Sequence, residues 1–353
     1  MAGVFDRQSV LGQLAEIDVS DIRRRAETPP QVVVLGPFGP TRARLVSALQ
    51  AGPGELLTAS GLSLLNWPAG PEALESLPHA ELVIFLPTFQ EHLRLAEQEL
   101  VDRLRGNAIP VIVVLPKGEA SEWPGARTVW VDLDDLAATG ARLATEVAIV
   151  LDVEQWTAFA RHLPGLRNIL AERLIINTSQ NNAVFVATTA AAAIIPVLSI
   201  PLNVADIVVL TKNQAIMAYK LALMYGYPPE VQKVLGELAG VVGGGFVWRQ
   251  VARMLVGFVP LIGPVTQVGV AYAGTYVTGE AVQRWLVHGR KLEREDLRAA
   301  YQRALAQGKM FGRQVLSRMS QTTQQLPKPK LALGRRRKSG TTPPALPGGR
   351  QGF

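Results

Sequence analysis

The sequence comes closest to a site for chemistry between Gly36 and Ala43, directly after a short apolar run. A phosphate-binding loop has the pattern G-x-x-x-x-G-K-[ST], in which backbone amides and the lysine hold phosphate and the hydroxyl holds magnesium. Gly36 opens the match, and Gly39 lies within it. The glycine, lysine and hydroxyl residue that the pattern then requires are replaced by Thr41, Arg42 and Ala43. Because Arg42 keeps only the positive charge of the lysine, the loop predicts a degenerate phosphate site.

Two further short motifs follow other apolar runs, in the order expected of a small GTPase domain. Asn66 begins the segment N-W-P-A, which resembles the motif D-x-P-G with asparagine in place of the magnesium-linked aspartate. Lys117 and Glu119 lie in the segment P-K-G-E, which resembles the guanine-reading motif N-K-x-D. Together the three motifs resemble a degenerate GTPase domain. The candidate nucleotide-binding residues are Gly36, Gly39, Thr41, Arg42, Asn66, Lys117 and Glu119.

The same substitutions argue against catalysis, because phosphoryl transfer depends on magnesium and on positioning by the loop. The chain has no cysteine, which excludes thiolate catalysis and cysteine-ligated metal, and its four histidines show no metal-ligand spacing. We therefore predict a protein that is not an enzyme, with no catalytic residue, no metal site and no cofactor. Two alternatives stay open, an unrelated α/β domain with a Gly-Pro turn and genuine nucleotide binding through Arg42.

Short β-branched runs alternate with helical segments between residues 31 and 151. The runs 32–35, 81–86, 111–115 and 128–131 predict buried strands, and amphipathic helical patterns lie between most of them. This alternation is typical of a mainly parallel α/β sheet. In such folds ligands bind at the carboxyl ends of the strands, and each of the three motifs follows an apolar run.

From residue 152 onward the pattern becomes helical and contains two long uncharged stretches. Residues 174–205 carry no charge and contain Pro196 and Pro201, and residues 254–279 are likewise uncharged and contain Pro260. Each stretch is long enough to cross a bilayer once, since about 20 mostly apolar residues suffice. Proline breaks or kinks a helix. We therefore predict two hydrophobic helical hairpins that enter the membrane together, while a buried core of a soluble bundle stays open.

The helical half is similar to a bacterial family of unsettled function, domain of unknown function 697 (YcjF-like). The resemblance implies association with GTPase-like modules and with membranes, and it implies no reaction. It covers residues 165–305 and rests on Asn182-Ala183, Pro196, residues 205–210, Asn213-Gln214, Met217, Tyr225-Gly226, residues 243–245, Arg249, Arg253, Pro260, Gly263 and Ala271-Tyr272.

Several residues of this half are candidates for a role at membrane depth. Asp206 follows the first uncharged stretch, where an ionisable group is costly and often functional. Capping of a helix, or pairing with Lys212, is the simpler interpretation. Arg249 and Arg253 lie one helical turn apart and could pair with Asp206 or contact lipid headgroups. The candidate residues of the helical domain are Pro196, Pro201, Asp206, Gln214, Arg249, Arg253 and Pro260.

The net charge of +7 lies in the C-terminal tail, where seven basic residues and no acidic residue follow residue 321. A tail of this composition is typical of disorder and attracts anionic lipid. It lacks the interleaved aromatic residues of a nucleic-acid binder. We predict an amphipathic helix in residues 1–30, a GTPase-like α/β domain in 31–151, a helical membrane-associated domain in 152–321 and a disordered basic tail in 322–353.

These observations predict a non-enzymatic, membrane-associated scaffold or regulator at the cytoplasmic face of the inner membrane. The N-terminal segment lacks the apolar region of a secretory signal, which agrees with that location. The expected partners are anionic lipid headgroups and a protein, either a different one or a second copy of this chain. A nucleotide-binding switch with an atypical loop and a soluble helical interaction protein are the alternatives.

Overall fold

The structure is a computed structural model that describes residues 18–54, 61–68, 77–119, 122–192, 204–228, 230, 263–290 and 293–325. Its contacts divide the chain into two units, Met1–Leu316 and Ser317–Phe353. The sheet and most of the helices belong to the first unit. In the second unit, the described residues 317–325 are helical.

Five parallel strands form a single sheet, in the order β2-β1-β3-β4-β5. Strands β1, β3 and β4 are apolar at nearly every position because helices or loops cover both faces of the sheet. The prediction of a mainly parallel α/β sheet is confirmed. The strands are β1 (Val32–Gly36), β2 (Leu62–Asn66), β3 (Leu82–Phe85), β4 (Val111–Pro116) and β5 (Arg127–Val131).

In the described part of the N-terminal half, four α-helices accompany the sheet, and the local sequence explains where two of them begin. Pro40 is the first residue of its helix, a position at which the missing N–H of proline costs nothing. Asp135 caps another helix, because its Oδ1 accepts a 2.9 Å hydrogen bond from the amide of Ala138. These helices are α1 (Ser20–Glu27), α2 (Pro40–Gln50), α3 (Arg94–Gly106) and α4 (Leu136–Val150).

The rest of the described chain is helical, as predicted. Two long helices, α6 and α8, pack along each other, and α7 packs against both. Gly289 ends α8 in the left-handed conformation (φ 66°), which favours glycine. These helices are α5 (Trp156–His162), α6 (Arg167–Ala192), α7 (Val204–Met224), α8 (Pro264–His288) and α9 (Arg294–Gln325).

One hydrophobic core joins the sheet to the helical half. It contains Val34 and Ile84 from the sheet, Phe159 from α5, Leu170 from α6 and Tyr219 from α7. Because side chains alternate along a strand, residues such as Val33 and Leu35 face a second core on the other side of the sheet. The predicted domain boundary after residue 151 lies within the first unit, Met1–Leu316, and the division into two domains stays a prediction.

The predicted membrane spans are not found in the described residues. No helix there is both long and apolar enough to cross a bilayer. The predictions of a transmembrane helix and of a membrane protein are therefore corrected. The physical reason is visible in α6, which covers much of the first uncharged stretch but also carries Glu172, Arg173 and the buried amide of Asn182. The predicted location and lipid partners stay untested.

Candidate functional site

The carboxyl ends of the parallel strands meet at one edge of the sheet. Strand β1 lies between β2 and β3, so the connections on either side of it leave in opposite directions. Parallel α/β sheets bind ligands at such a switch point. The loops after β1 and β3, residues 37–39 and 86–90, are therefore the first place to look for a site.

The side chain of Arg42 lies beside this point, at the ends of β1 and β2. It lies in the first turn of α2 and is only 7% exposed. Its Nη1 donates to the carbonyl oxygen of Gly36 at 3.1 Å, to that of Leu65 at 3.0 Å and to Oδ1 of Asn66 at 2.8 Å. The guanidinium carbon also lies 5.5 Å from the ring centroid of Phe38. The side chain thus ties the end of β1 to the end of β2.

The contacts of Arg42 show which of its donors are used. Gly36 and Asn66 are register partners at the ends of their strands, so Nη1 bridges a matched pair. Every acceptor is neutral, and within the described part of the chain no carboxylate contacts the guanidinium. Its Nε and Nη2 make no hydrogen bond to the described residues. Arg42 and Asn66 were both predicted from the sequence as nucleotide-binding residues, and in the structure they contact each other. Their predicted role in nucleotide binding stays a prediction.

Of the two glycines of the loop, Gly36 is required by close packing and Gly39 is not. A Cβ at Gly36 would lie 2.6 Å from the Cβ of Leu86 and 2.9 Å from its carbonyl oxygen, so β1 and the residue after β3 approach too closely for any other residue. Gly39 has an extended backbone (φ 161°), and a Cβ there would meet no atom within 4 Å. Thr41 lies half-buried in the first turn of α2.

Lys117 and Glu119 lie apart from the Arg42 contacts, after β4. Their side chains are exposed, and the Nζ of Lys117 lies 3.9 Å from Oδ2 of Asp132. The backbone oxygen of Glu119 accepts a 2.9 Å hydrogen bond from Nε1 of Trp130. Among the described residues, neither of these side chains contacts Arg42. The structure therefore does not unite the seven predicted nucleotide-binding residues in one cluster.

Glu97 is a residue of this edge that the sequence reasoning missed. It is 1% exposed, and its Oε1 accepts hydrogen bonds from Nε1 of Trp67 (3.1 Å), from the amide of Thr88 (2.8 Å) and from the hydroxyl of Thr88 (2.8 Å). A buried carboxylate is costly unless it is hydrogen-bonded in this way. Glu97 therefore holds the loop after β3 against the residue after β2. Its helical spacing from Leu100 and Leu104 places it on the buried face of α3 and could have revealed it.

Two aromatic side chains project from the loops after β1 and β3. Phe38, after β1, is 87% exposed, and Phe89, after β3, is 46% exposed. Phe89 also has a positive φ of 59°, which is uncommon for a bulky residue. Backbone strain of this kind is found most often at functional sites. The switch point therefore exposes two aromatic side chains to solvent.

Polar side chains form a second cluster, between α6, α7 and α8. The Nδ2 of Asn182 donates to Oγ1 of Thr275 at 2.9 Å, and Nε2 of Gln214 donates to the same oxygen at 3.1 Å. The Nδ2 of Asn213 donates to Oδ1 of Asn182 at 2.8 Å. Asn182, Gln214 and Thr275 are buried. Gln214, named from the sequence as a candidate, is thus part of a network that joins three helices.

The other candidates of the helical half have no described side chain. Asp206 lies in α7, but its side chain is outside the described part of the structure. Pro196, Pro201, Arg249, Arg253 and Pro260 lie outside the described residues altogether. Their predicted roles, including the pairing of Asp206 with either arginine, stay predictions.

The described residues contain no group of three acidic, histidine or cysteine side chains that could hold a metal ion.

Comparison of the chain with protein-family models, with curated proteins and with solved structures found no match. The resemblances to a GTPase domain and to domain of unknown function 697 therefore stay predictions. What the chain itself offers is a sheet edge closed by Arg42 and Glu97, with two aromatic side chains exposed above it.

Proposed function

We propose that this chain is a non-enzymatic scaffold or regulator, built on a GTPase-like α/β domain that no longer binds nucleotide. The observation that carries the proposal is the contact of the Arg42 guanidinium with Gly36, Leu65 and Asn66. A working phosphate loop keeps its cation free for the phosphate, and it supplies a hydroxyl for magnesium. Here the cation bonds the ends of two strands, and Ala43 has no hydroxyl.

The exposed aromatic residues suggest what the edge does instead. Aromatic side chains supply much of the binding energy in protein–protein interfaces, because they bury a large area at a low cost in conformational entropy. Phe38 lies two residues after Gly36, whose carbonyl accepts from Arg42, and Phe89 follows Thr88, whose amide donates to Glu97. Loops fixed in this way lose little entropy on binding. We infer that a protein partner contacts this edge.

The loss of nucleotide binding is tested by calorimetric titration of the full-length chain with GTP and GDP, with and without magnesium. We expect no binding heat. The variant Arg42→Lys, which restores the usual lysine, is expected to behave in the same way because the glycine and the hydroxyl are still missing. Tight, magnesium-dependent binding to the native chain would overturn the proposal.

The partner surface is tested with a photo-crosslinking phenylalanine analogue at position 38. Once a crosslinked partner is identified, its affinity for the purified chain is measured directly. The double variant Phe38→Ala/Phe89→Ala should weaken binding at least tenfold, which corresponds to about 1.4 kcal/mol. Met310→Ala removes another exposed apolar side chain, 62% exposed on α9, and should leave the affinity unchanged. Equal affinity in all three chains would refute this surface.

A second candidate function is anion binding without magnesium. It is favoured by the neutral surroundings of Arg42 and by the absence of hydrogen bonds from its Nε and Nη2 to the described residues. Titration with inorganic phosphate distinguishes the two functions. Saturable binding that disappears in Arg42→Ala would favour anion binding, and absence of binding would leave the interaction protein as the better description.

A further inference from the structure

Lys220 is a half-buried lysine of α7 that lies near Arg25 of α1. Helix α1 packs against α5 and α7, and its Ala26 is fully buried in the same core as Tyr219. Lys220 directly follows Tyr219 in the sequence. Its side chain is therefore placed beside the contact between two helices, where part of it is removed from water.

The surroundings of Lys220 supply no opposite charge. Within the described part of the chain, its Nζ makes no hydrogen bond and no ion pair. The nearby guanidinium of Arg25 is itself positive and is paired with Glu154. A charge that leaves water is costly unless it is paired and hydrogen-bonded. Partial burial, and after it the charge of Arg25, therefore lower the pKa of the Lys220 amine from its ordinary value of 10.5.

This environment favours the neutral amine, which is the nucleophilic form of a lysine. Lysines are activated as nucleophiles when they are desolvated or lie beside another cation. Lys220 meets both conditions. Lys212, on the same helix, is exposed to solvent. Because Lys220 is only half-buried, a small reagent can still approach it from solvent.

We propose that Lys220 is a site of covalent acylation and that the acyl donor is a thioester. The Nζ lone pair attacks the carbonyl carbon of the thioester and forms the C–N bond. The C–S bond breaks, and the sulfur leaves as a thiolate with the bonding electrons. The proton lost by the nitrogen passes to water. No oxidant or reductant is required, and the product is a neutral amide.

The product suits this position better than the ammonium does. Acylation removes the positive charge that Arg25 repels and leaves an N–H donor and a carbonyl acceptor in its place. The modification therefore removes the cost of a half-buried, unpaired charge. Lys220 and Arg25 lie on helices away from the loops that carry the proposed function. Failure of this inference would leave the Arg42 and Phe38 arguments untouched, and the reverse also holds.

The acylation site is tested by incubating the full-length chain with acetyl-coenzyme A at neutral pH. Quantitative mass spectrometry gives the rate of acetylation at each lysine. Lys220 should react at least about threefold faster than Lys212, because only Lys220 is both desolvated and beside a cation. In the urea-unfolded chain this environment is lost, and the ratio of the two rates should fall to about one. Equal rates at the two lysines of the folded chain would overturn the proposal.

The variant Arg25→Ala tests the contribution of the neighbouring cation. Without the guanidinium, Lys220 keeps its proton more readily, so its acetylation should slow at least about twofold while that of Lys212 stays the same. Arg24→Ala is the matched control, since it removes an exposed arginine of the same helix that pairs with Asp21. It should leave the rate at Lys220 unchanged. Equal rates at Lys220 in Arg25→Ala and in the native chain, or equal slowing in both variants, would contradict the proposed environment.

Discussion

Nη1 of Arg42 donates a 2.8 Å hydrogen bond to Oδ1 of Asn66, and this contact joins the start of α2 to the end of β2 across 24 positions of sequence. The sequence predicted that both residues lie where a GTPase would have a phosphate or magnesium ligand. In this chain they bind each other. The contact therefore stabilises the edge of the sheet, and its removal has consequences that can be measured.

Replacement of Arg42 by alanine should destabilise the protein. The substitution removes the donor of three acceptors, which are the carbonyl oxygens of Gly36 and Leu65 and the side-chain Oδ1 of Asn66. We therefore expect the free energy of unfolding, measured by urea denaturation, to fall by about 2–3 kcal/mol. Arg44→Ala is the control, because Arg44 lies on the same helix in an exposed ion pair with Asp134. It should cost about 0–1 kcal/mol. Equal costs would contradict the bridging role of Arg42.

Glu97→Ala should loosen the loop after β3. The amide and hydroxyl of Thr88 and the indole of Trp67 would lose their common acceptor, at a cost of about 2–3 kcal/mol. Hydrogen exchange at the amide of Thr88 should become faster. Glu99→Ala removes an exposed carboxylate two residues along the same helix and should change neither quantity. If hydrogen exchange at Thr88 is unchanged in Glu97→Ala, Glu97 does not hold the loop after β3.

A comparison of Thr275→Val with Thr278→Val distinguishes the stability contributed by hydrogen bonds between helices from that contributed by a hydrogen bond within one helix. Both threonines are buried on α8, but only Oγ1 of Thr275 accepts from Asn182 and Gln214. The hydroxyl of Thr278 donates within the helix, to the carbonyl of Gly274. Thr275→Val should therefore be less stable than Thr278→Val by about 1–3 kcal/mol, because two buried amides lose their acceptor. Thermal unfolding of the two variants gives the comparison.

Alkaline pH should destabilise the protein, in part through Tyr301. Burial raises the pKa of Tyr301 from 10.0 to about 12. Above pH 10 the unfolded chain releases this proton first, so the stabilisation is lost as the pH rises from 10 towards about 12. Tyr301→Phe removes this dependence. The melting temperature should fall less between pH 8 and pH 11 in Tyr301→Phe than in the native chain.

The pH dependence should be reduced in that variant rather than abolished. Burial also raises the pKa of Tyr225 and Tyr272, and both remain. The difference between the variant and the native chain should be small at pH 8, where all three tyrosines are neutral in both states. A difference that is the same at both pH values would show that the effect of the substitution is one of packing alone.

Local sequence pattern determined most of the elements. Val32–Leu35 and Val111–Leu115 are apolar throughout because a strand covered on both faces is buried at each position, and both are strands in the structure. A helical pattern was predicted from residue 152 onward, and Trp156–His162 is a helix in the structure. These elements depend on neighbours within a few positions, so a sequence alone suffices to find them.

The role of the loop after β1 depends on distant residues. From the sequence, Gly36 and Arg42 were interpreted as remnants of a phosphate loop. In the structure, Leu86 packs so closely against Gly36 that no side chain fits there. Arg42 donates hydrogen bonds to the carbonyl of Leu65 and to Oδ1 of Asn66. Glu97 likewise finds Trp67 thirty positions away. No local pattern specifies these partners, since the strand order brings them together.

The two uncharged stretches show most clearly what the sequence determined and what the tertiary structure determined. Their composition by itself determined that many of their residues avoid water, and this was interpreted as entry into a membrane. The structure pairs Asn182 of the first stretch with Thr275 of the second, 93 positions apart, and packs α6 along α8. The hydrophobicity of a side chain predicts that it is buried away from water. Which surface then covers that side chain was decided by the tertiary contacts of these helices.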